Sequence, residues 1–276
     1  MAEPPLLIGR DLGFAADGKI LVQGLSLTVE PGTLQVMIGP NGAGKSTLLR
    51  LLCGELRPTA GSVAYAGEPV AGIPAWRLAT LRAVLPQQAR VAFPFAVAEV
   101  ARIGLDGIGR GLTRRDRETI LVQALKQADI LHLAERAYPG LSGGEQARVQ
   151  FARVLCQLAA GRTVAAGQVL FLDEPTASLD LRHQSAILDA VDDLRRTGVG
   201  VVAILHDLNL AAVYADTLLV LDGGRLVARG APDAILRDDL IAEVFGVRWP
   251  VGRVPPGGKP FILPTRVLPQ GNSTTG

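Results

Sequence analysis

Between residues 6 and 36, apolar positions come in short, partly alternating runs interrupted by Asp17-Gly18, Gln23-Gly24 and Pro31-Gly32. Alternation puts every second side chain on one face, so the spacing predicts an antiparallel β region leading into the unbroken apolar run at 34–38. From about residue 89 to 138 the pattern turns helical. It is clearest over 113–133, where Ile120, Ala124, Ala128 and Leu131 recur at helical spacing behind Thr113, a residue suited to capping a helix. Continuous apolar runs return at 169–172, 199–205 and 217–221, separated by helical segments, as expected for a parallel sheet buried on both faces. The predicted fold class is α/β, with a mainly parallel sheet core, an antiparallel β subdomain and a helical subdomain inserted at about 89–160. Residues 1–250 are expected to form a single domain, and the Pro- and Gly-rich residues 251–276 a loosely packed tail.

Composition narrows the class without choosing a partner. With 276 residues and 48% hydrophobic content, the chain can build a substantial core and is not a disordered protein. Its 28 basic and 26 acidic side chains nearly balance, which argues against a nucleic-acid-coating or polybasic membrane surface. Cys53 and Cys156 sit inside helix-like apolar patterns with no metal-ligand spacing, so buried free thiols in a reducing cytoplasm are expected. The first ten residues carry Glu3 and two prolines and lack the basic region and apolar core of a signal peptide. No run approaches the roughly 18 apolar residues of a membrane span, so work at a membrane is expected to go through another chain. Asn272-Ser273-Thr274 matches a glycosylation pattern and is read as coincidence.

Phosphate chemistry enters directly after the 34–38 run. Gly39, Pro40, Asn41, Gly42, Ala43, Gly44, Lys45, Ser46 and Thr47 form a complete phosphate-binding loop between an expected strand and an expected helix. Its glycines let backbone N–H groups wrap a polyphosphate at the positive end of the helix. Lys45 is placed to neutralise the outer phosphates, and Ser46 to offer a hydroxyl to a phosphate-bound Mg²⁺. The 169–172 run ends in Asp173 and Glu174, and strand ends of open α/β sheets are where ligands collect. Asp173 suits Mg²⁺, while Glu174 can polarise a water for attack on the terminal phosphate. Ser142, three residues before Glu145, reads as a helix capping box ahead of an amphipathic helix carrying Ala147, Phe151, Val154 and Leu155. A cap does not need Gly143-Gly144; a helix start that a phosphate must approach does. Two anion-binding helix starts in one chain suggest an ATP held between two protomers.

With these residues in view, the chain resembles the ATP-binding subunits of ABC transporters over about residues 6–248. Residues 39–47 correspond to the family's Walker A loop, Gln87 to its Q-loop glutamine and residues 141–146 to its signature motif. Residues 169–174 correspond to Walker B, Ser178-Leu179-Asp180 to the D-loop and His206 to the switch histidine. The resemblance implies an ATPase in which two copies sandwich two ATPs head to tail, each phosphate loop facing the other copy's residues 142–145. In that arrangement Asp180 joins the nucleotide-binding residues, and Ser46, Gln87 and Asp173 hold Mg²⁺ directly or through water. Glu174 is then the base, and His206 reaches the γ-phosphate. His132 and His183 are read as surface or packing residues. The family's adenine-stacking aromatic is missing, since Ala16 occupies its place and the nearest ring, Phe14, reads as a strand core residue.

Part of residues 87–104, a segment with Phe93-Pro94-Phe95 and Glu99, is expected to line an apolar groove for a permease helix. The segments at 179–184 and 206–209 resemble importers of iron-siderophores, cobalamin and haem, and those at 93–100 and 161–167 look most like the haem-importing branch. Such a subunit is expected peripherally on the cytoplasmic face of a bacterial inner membrane. Its partners would be a second copy, integral membrane permeases and, indirectly, a periplasmic binding protein, with no nucleic acid. A DNA-repair or translation ATPase of the same family would need a coiled-coil insertion or a second cassette, and an exporter commonly has fused membrane spans. A P-loop kinase or GTPase has no use for residues 141–146 or His206.

Overall fold

The computed structural model describes residues 4–87, 93–177, 179–254 and 262–264. Ser178, residues 88–92 and most of the expected tail therefore lie outside the described residues. Strands β1 (Leu7–Ala16) and β2 (Lys19–Val29) form the expected hairpin. Asp17 and Gly18 both take positive φ, 50° and 74°, the twist that matches a two-residue turn to its strands. Gln23-Gly24 does not turn the chain. Gly24, at φ 60°, absorbs a register shift between the pairs Leu12–Leu25 and Phe14–Val22, a bulge inside β2. Strands β4 (Ala60–Tyr65) and β5 (Glu68–Pro69), which the apolar pattern did not reveal, complete an antiparallel sheet of order β2-β1-β4-β5.

The second sheet contains β3 (Leu34–Ile38), β6 (Arg82–Leu85), β7 (Val169–Asp173), β8 (Gly200–Ile204), β9 (Thr217–Asp222) and β10 (Arg225–Gly230). Its order is β10-β9-β3-β8-β7-β6, and every pairing is parallel except β9 with β10. Because side chains alternate across a strand, the continuous apolar runs feed two cores. Val36, Ile38, Leu170, Leu172, Val201 and Ala203 face a helical layer. Met37, Phe171, Val202, Ile204, Leu219 and Leu221 face the antiparallel sheet and helix α1 (Lys45–Leu52).

The remaining helices are α2 (Ala75–Leu81), α3 (Val97–Arg102), α4 (Arg114–Gln127), α5 (Gly143–Gly161), α6 (Leu181–Arg196), α7 (Leu208–Tyr214), α8 (Pro232–Ile235) and α9 (Asp238–Phe245). Thr113 caps α4 as expected: its Oγ1 accepts from the Asp116 amide at 3.2 Å, and the Asp116 carboxylate accepts from the Thr113 amide at 3.1 Å. The helix stops earlier than 133, since Asp129 adopts φ 53° and Leu131–Leu133 form a separate 3₁₀ turn. Its buried stripe is Leu121, Ala124, Leu125 and Ala128, with Ile120 only half-buried. Cys53 and Cys156 are buried and free, and burial pushes their thiols up to about 11 and about 12, so both stay protonated. Cys53 stands at the end of α1 rather than inside it. The start of the expected tail is pinned to α9: the Val251 amide donates to Asp238 Oδ1 at 2.8 Å, and Arg253 pairs with the same carboxylate. Among the described residues no helix is long and apolar enough to cross a membrane.

Candidate functional site

Strand β3 ends at Ile38, and the chain loops through residues 39–44 before α1 begins at Lys45. Two of the glycines are dictated by space and backbone angle. Gly39 sits at φ 147°, and a Cβ there would lie 2.0 Å from the Leu221 carbonyl oxygen; at Gly44, with φ 94°, it would lie 2.3 Å from that of Leu21. The loop is thus clamped between the end of β9 and the start of β2, and Gly224 donates its amide to the Ala43 carbonyl at 3.2 Å. Asn41, Gly42 and Ser46 remain exposed along its mouth. The Lys45 side chain lies within the loop's curve, Nζ donating at 2.8 Å to the carbonyls of both Gly39 and Pro40. Burial lowers its pKa, and the carboxylates of Glu174 and Asp173 partly offset this.

Neighbouring β7 delivers Asp173 and Glu174 to the same end of the sheet. Ser46 Oγ donates to Asp173 Oδ1 at 3.4 Å, joining α1 to the β7 terminus. Burial, then the adjacent Glu174 charge, raises the Asp173 pKa. Glu174 takes φ 53°, a conformation costly for a side chain with a Cβ. That carboxylate is gripped from two sides. Gln87 Nε2, just beyond β6, donates to Oε2 at 2.6 Å, and His206 Nε2 lies 2.5 Å from Oε1. Asp207 caps α7 through the amides of Asn209 and Leu210, turning the chain directly after His206. Gln87, His206, Glu174, Asp173, Ser46 and Lys45 therefore meet at one end of the parallel sheet.

The raised Asp173 pKa fixes a sign. The folded chain binds a proton at Asp173 more tightly than the unfolded chain does, so this group favours folding when protonated and loses that contribution as pH rises through its raised value. Above that raised value, ionised Asp173 is a net cost. Asp173→Asn is expected to raise the Tm of the nucleotide-free chain near pH 7.5 while abolishing turnover, the Tm gain shrinking below the ordinary carboxylate range near pH 4. Thermal melts across pH check this, and a lower Tm in the variant would contradict it.

The second predicted anion site is formed but stands apart. Ser142 Oγ accepts from the Glu145 amide at 3.3 Å, and the Glu145 carboxylate accepts from the Ser142 amide at 2.7 Å. A Cβ on Gly143 would meet nothing within 4 Å, so nothing inside the chain requires glycine there. Among the described residues no hydrogen bond or ion pair joins Ser142, Gly144 or Glu145 to residues 39–47. Asp180 caps α6 by accepting from the His183 amide at 2.9 Å and lies 2.7 Å from His183 Nδ1; these contacts lower its pKa. His183 also faces Asp129 at 3.8 Å, while His132 is exposed. Phe14 packs against the core beneath the antiparallel sheet, and Ala16 closes the hairpin.

Sequence reading missed the walls of the phosphate loop at Leu21, Leu221 and Gly224, which act through backbone atoms and leave no signal in residue type. It also missed Gln184, whose side chain donates to the carbonyls of Thr176 and Leu179.

A phosphate loop between a central parallel strand and its helix, with acids at the neighbouring strand end, defines a P-loop nucleotide-binding protein. The family model described as ABC transporter matches residues 22–177, and the chain belongs to that family, as one of its transport ATPases. It is 47% identical over 251 residues to the hemin import ATP-binding protein HmuV of Rhodopseudomonas palustris, covering 91% of each chain. Its identity to the protein of the same description from Gloeobacter violaceus is 46% over 260 residues, 94% of each. Among solved structures it resembles an inward-facing putative metal-chelate type ABC transporter, with a TM-score of 0.73 and 26% identity, covering 89% of this chain and 90% of that one. It also resembles a bacterial Atm1-family ABC exporter with ATP bound, with a TM-score of 0.74 and 28% identity, covering 89% of this chain and 42% of that one.

Proposed function

We propose that this chain is the ATP-hydrolysing subunit of a bacterial importer of hemin, working as a pair of identical copies beneath a separate membrane permease. The observation that carries the cargo is the 47% identity, spread over 91% of both chains, to a hemin import ATP-binding protein. Residues 1–250 act as one nucleotide-binding unit in this reading, with the helical subdomain at about 89–160 and a tail at 251–276. A periplasmic binding protein supplies the permease, and the chain sits peripherally on the cytoplasmic face of the inner membrane.

The backbone amides of Gly39, Asn41, Gly42, Ala43 and Gly44 wrap the phosphates, and Lys45 leaves the carbonyls of Gly39 and Pro40 to pair with the outer ones, beside Thr47. A Mg²⁺ suits the oxygens of Ser46, Asp173 and Gln87: a serine hydroxyl and a carboxylate raised by burial and by a neighbouring negative charge form a hard-donor set short of a cation. Mg²⁺ would neutralise charge on the β- and γ-phosphates. Glu174 takes a proton from water as the water oxygen bonds the γ-phosphorus and the bond to the ADP oxygen breaks. Gln87 and His206 hold the two carboxylate oxygens of Glu174, so departure of either donor changes the basicity and aim of the base. Asp180 and the Ser142, Gly143, Gly144 and Glu145 helix start serve the ATP on the partner copy, and the open space at Gly143 supports that use.

The docking surface for the permease includes Phe93 and Phe95, 69% and 42% exposed with ring centroids 6.0 Å apart. Phe93→Ala combined with Phe95→Ala is expected to abolish transport by the reconstituted complex while leaving ATP binding within about twofold. Undiminished transport would remove this surface from the account. The whole reading is tested by ATP-driven uptake of hemin, cobalamin and a ferric siderophore in the complete complex. Hemin alone should accumulate; uptake of another cargo, or of none, overturns the assignment.

A further inference from the structure

Helix α5 runs from the Ser142 cap to the outer strand of the parallel sheet, and its attachment there is polar and half-buried. Arg153 Nη2 donates to the Val84 carbonyl at 3.1 Å, and Gln157 Nε2 donates to the Arg82 carbonyl at 2.9 Å. Four residues of helix advance about 6 Å and two of strand about 6.6 Å, so side chains four apart on α5 match carbonyls two apart on β6. Strand β6 is the outer strand of its sheet, and α5 meets it with donors as a further strand would. Two residues past β6 comes Gln87, bonded to Glu174.

The other side of Arg153 leads elsewhere. Its Nε donates to Gln150 Oε1 at 2.9 Å, Gln150 Nε2 donates to the Tyr138 hydroxyl at 3.2 Å, and the Tyr138 amide donates to the Phe95 carbonyl at 2.8 Å. Burial lowers the Arg153 pKa, and among the described residues no carboxylate pairs with it. A half-buried guanidinium satisfied only by neutral acceptors is costly compared with an apolar side chain of similar length. Packing of α5 alone does not explain it, since the apolar residues of this helix already anchor it in the core.

We propose that Arg153 is a positioning residue that locks the strand leading to Gln87, the helix starting at Ser142 and the segment carrying Phe95 into one mechanical unit. The proposal rests on the roles assigned above to Gln87, Ser142 and Phe95. A displacement at Phe95 is passed through Tyr138 and Gln150 to Arg153, and from there to both ends of the catalytic arrangement.

Arg153→Met tests the joint in the full-length chain. Backbone hydrogen exchange is expected to quicken by about tenfold at residues 84–87 and 143–147, with residues 34–38 unchanged. In ATPase assays, kcat should fall with the ATP KM held within about twofold, and Gln87→Ala added to Arg153→Met should cost less than it does in the wild type. Arg153→Lys, which keeps the charge and one reach but not the planar fork, should give intermediate exchange, and it carries the test if the Met variant does not fold. Exchange that is unchanged, or faster throughout the chain, overturns the proposal, as do additive losses with Gln87→Ala. A wild-type chain without ATPase activity counts against the proposed function alone and leaves the exchange pattern to decide the joint.

Discussion

Glu174→Gln is expected to slow ATP hydrolysis by about 10²- to 10⁴-fold, the range for a lost general base, while ATP still binds. The substitution keeps size, removes basicity and turns one acceptor oxygen into a donor. Glu174 approaches Gln87 Nε2 and His206 Nε2 at 2.6 and 2.5 Å, so both carboxylate oxygens already accept. A glutamine offers one oxygen and one NH₂, and one of the two neighbours must then lose its acceptor or turn. The phosphate loop is untouched, because the hydrogen bonds of Lys45 run to Gly39 and Pro40. ATP should therefore bind, fail to turn over and hold two copies together. Steady-state hydrolysis, equilibrium nucleotide binding and size-exclusion chromatography with ATP check the three parts. Normal turnover would remove Glu174 from the role of base.

Lys45→Met acts on binding rather than on chemistry. Lys45 is only 6% exposed, and its ammonium is desolvated by the same loop that would surround the phosphates. A charge-assisted hydrogen bond contributes roughly 1.5–3 kcal/mol, which converts to about a 10- to 100-fold loss of ATP affinity when it cannot form. Methionine fills much the same space and strands no charge, so the loss is expected in binding with the fold retained. A fluorescent-nucleotide titration beside a thermal melt separates the two. Unchanged affinity in a folded variant would show that the loop amides suffice without the lysine.

These two predictions concern residues legible in the chain before any coordinates, and the reason is local. Gly39 and Gly44 had to be glycine because their φ angles and the carbonyls of Leu221 and Leu21 exclude a Cβ, so the requirement is written in residue type. The runs at 169–172, 199–205 and 217–221 were readable as strands because burial on both faces demands apolar residues at every position. Strands β4 and β5 were not readable: the first is exposed at Ala60, Gly61 and Ser62, and the second has two residues. The Gln23-Gly24 pair shows the limit of turn chemistry, since a glycine at positive φ serves a bulge as well as a turn. Helix α4 ended early for a backbone reason at Asp129 that its apolar spacing did not carry.

The sequence alone determined where Lys45, Ser46, Asp173 and Glu174 stand, at the ends of elements whose periodicity is local. It also determined the Ser142 cap, whose hydrogen bonds close within four residues. Tertiary structure alone decided their geometry. Gln87 and His206 stand 87 and 32 positions from Glu174 in the chain (174−87 and 206−174), and only the adjacency of β6, β7 and β8 brings all three together. The Arg153 attachment to β6 likewise depends on a helix and an outer strand meeting in register, and its acceptors are backbone carbonyls, which every residue carries. Donor and acceptor types are spelled out in residues; pairings between backbone atoms far apart in sequence exist only once the chain has folded.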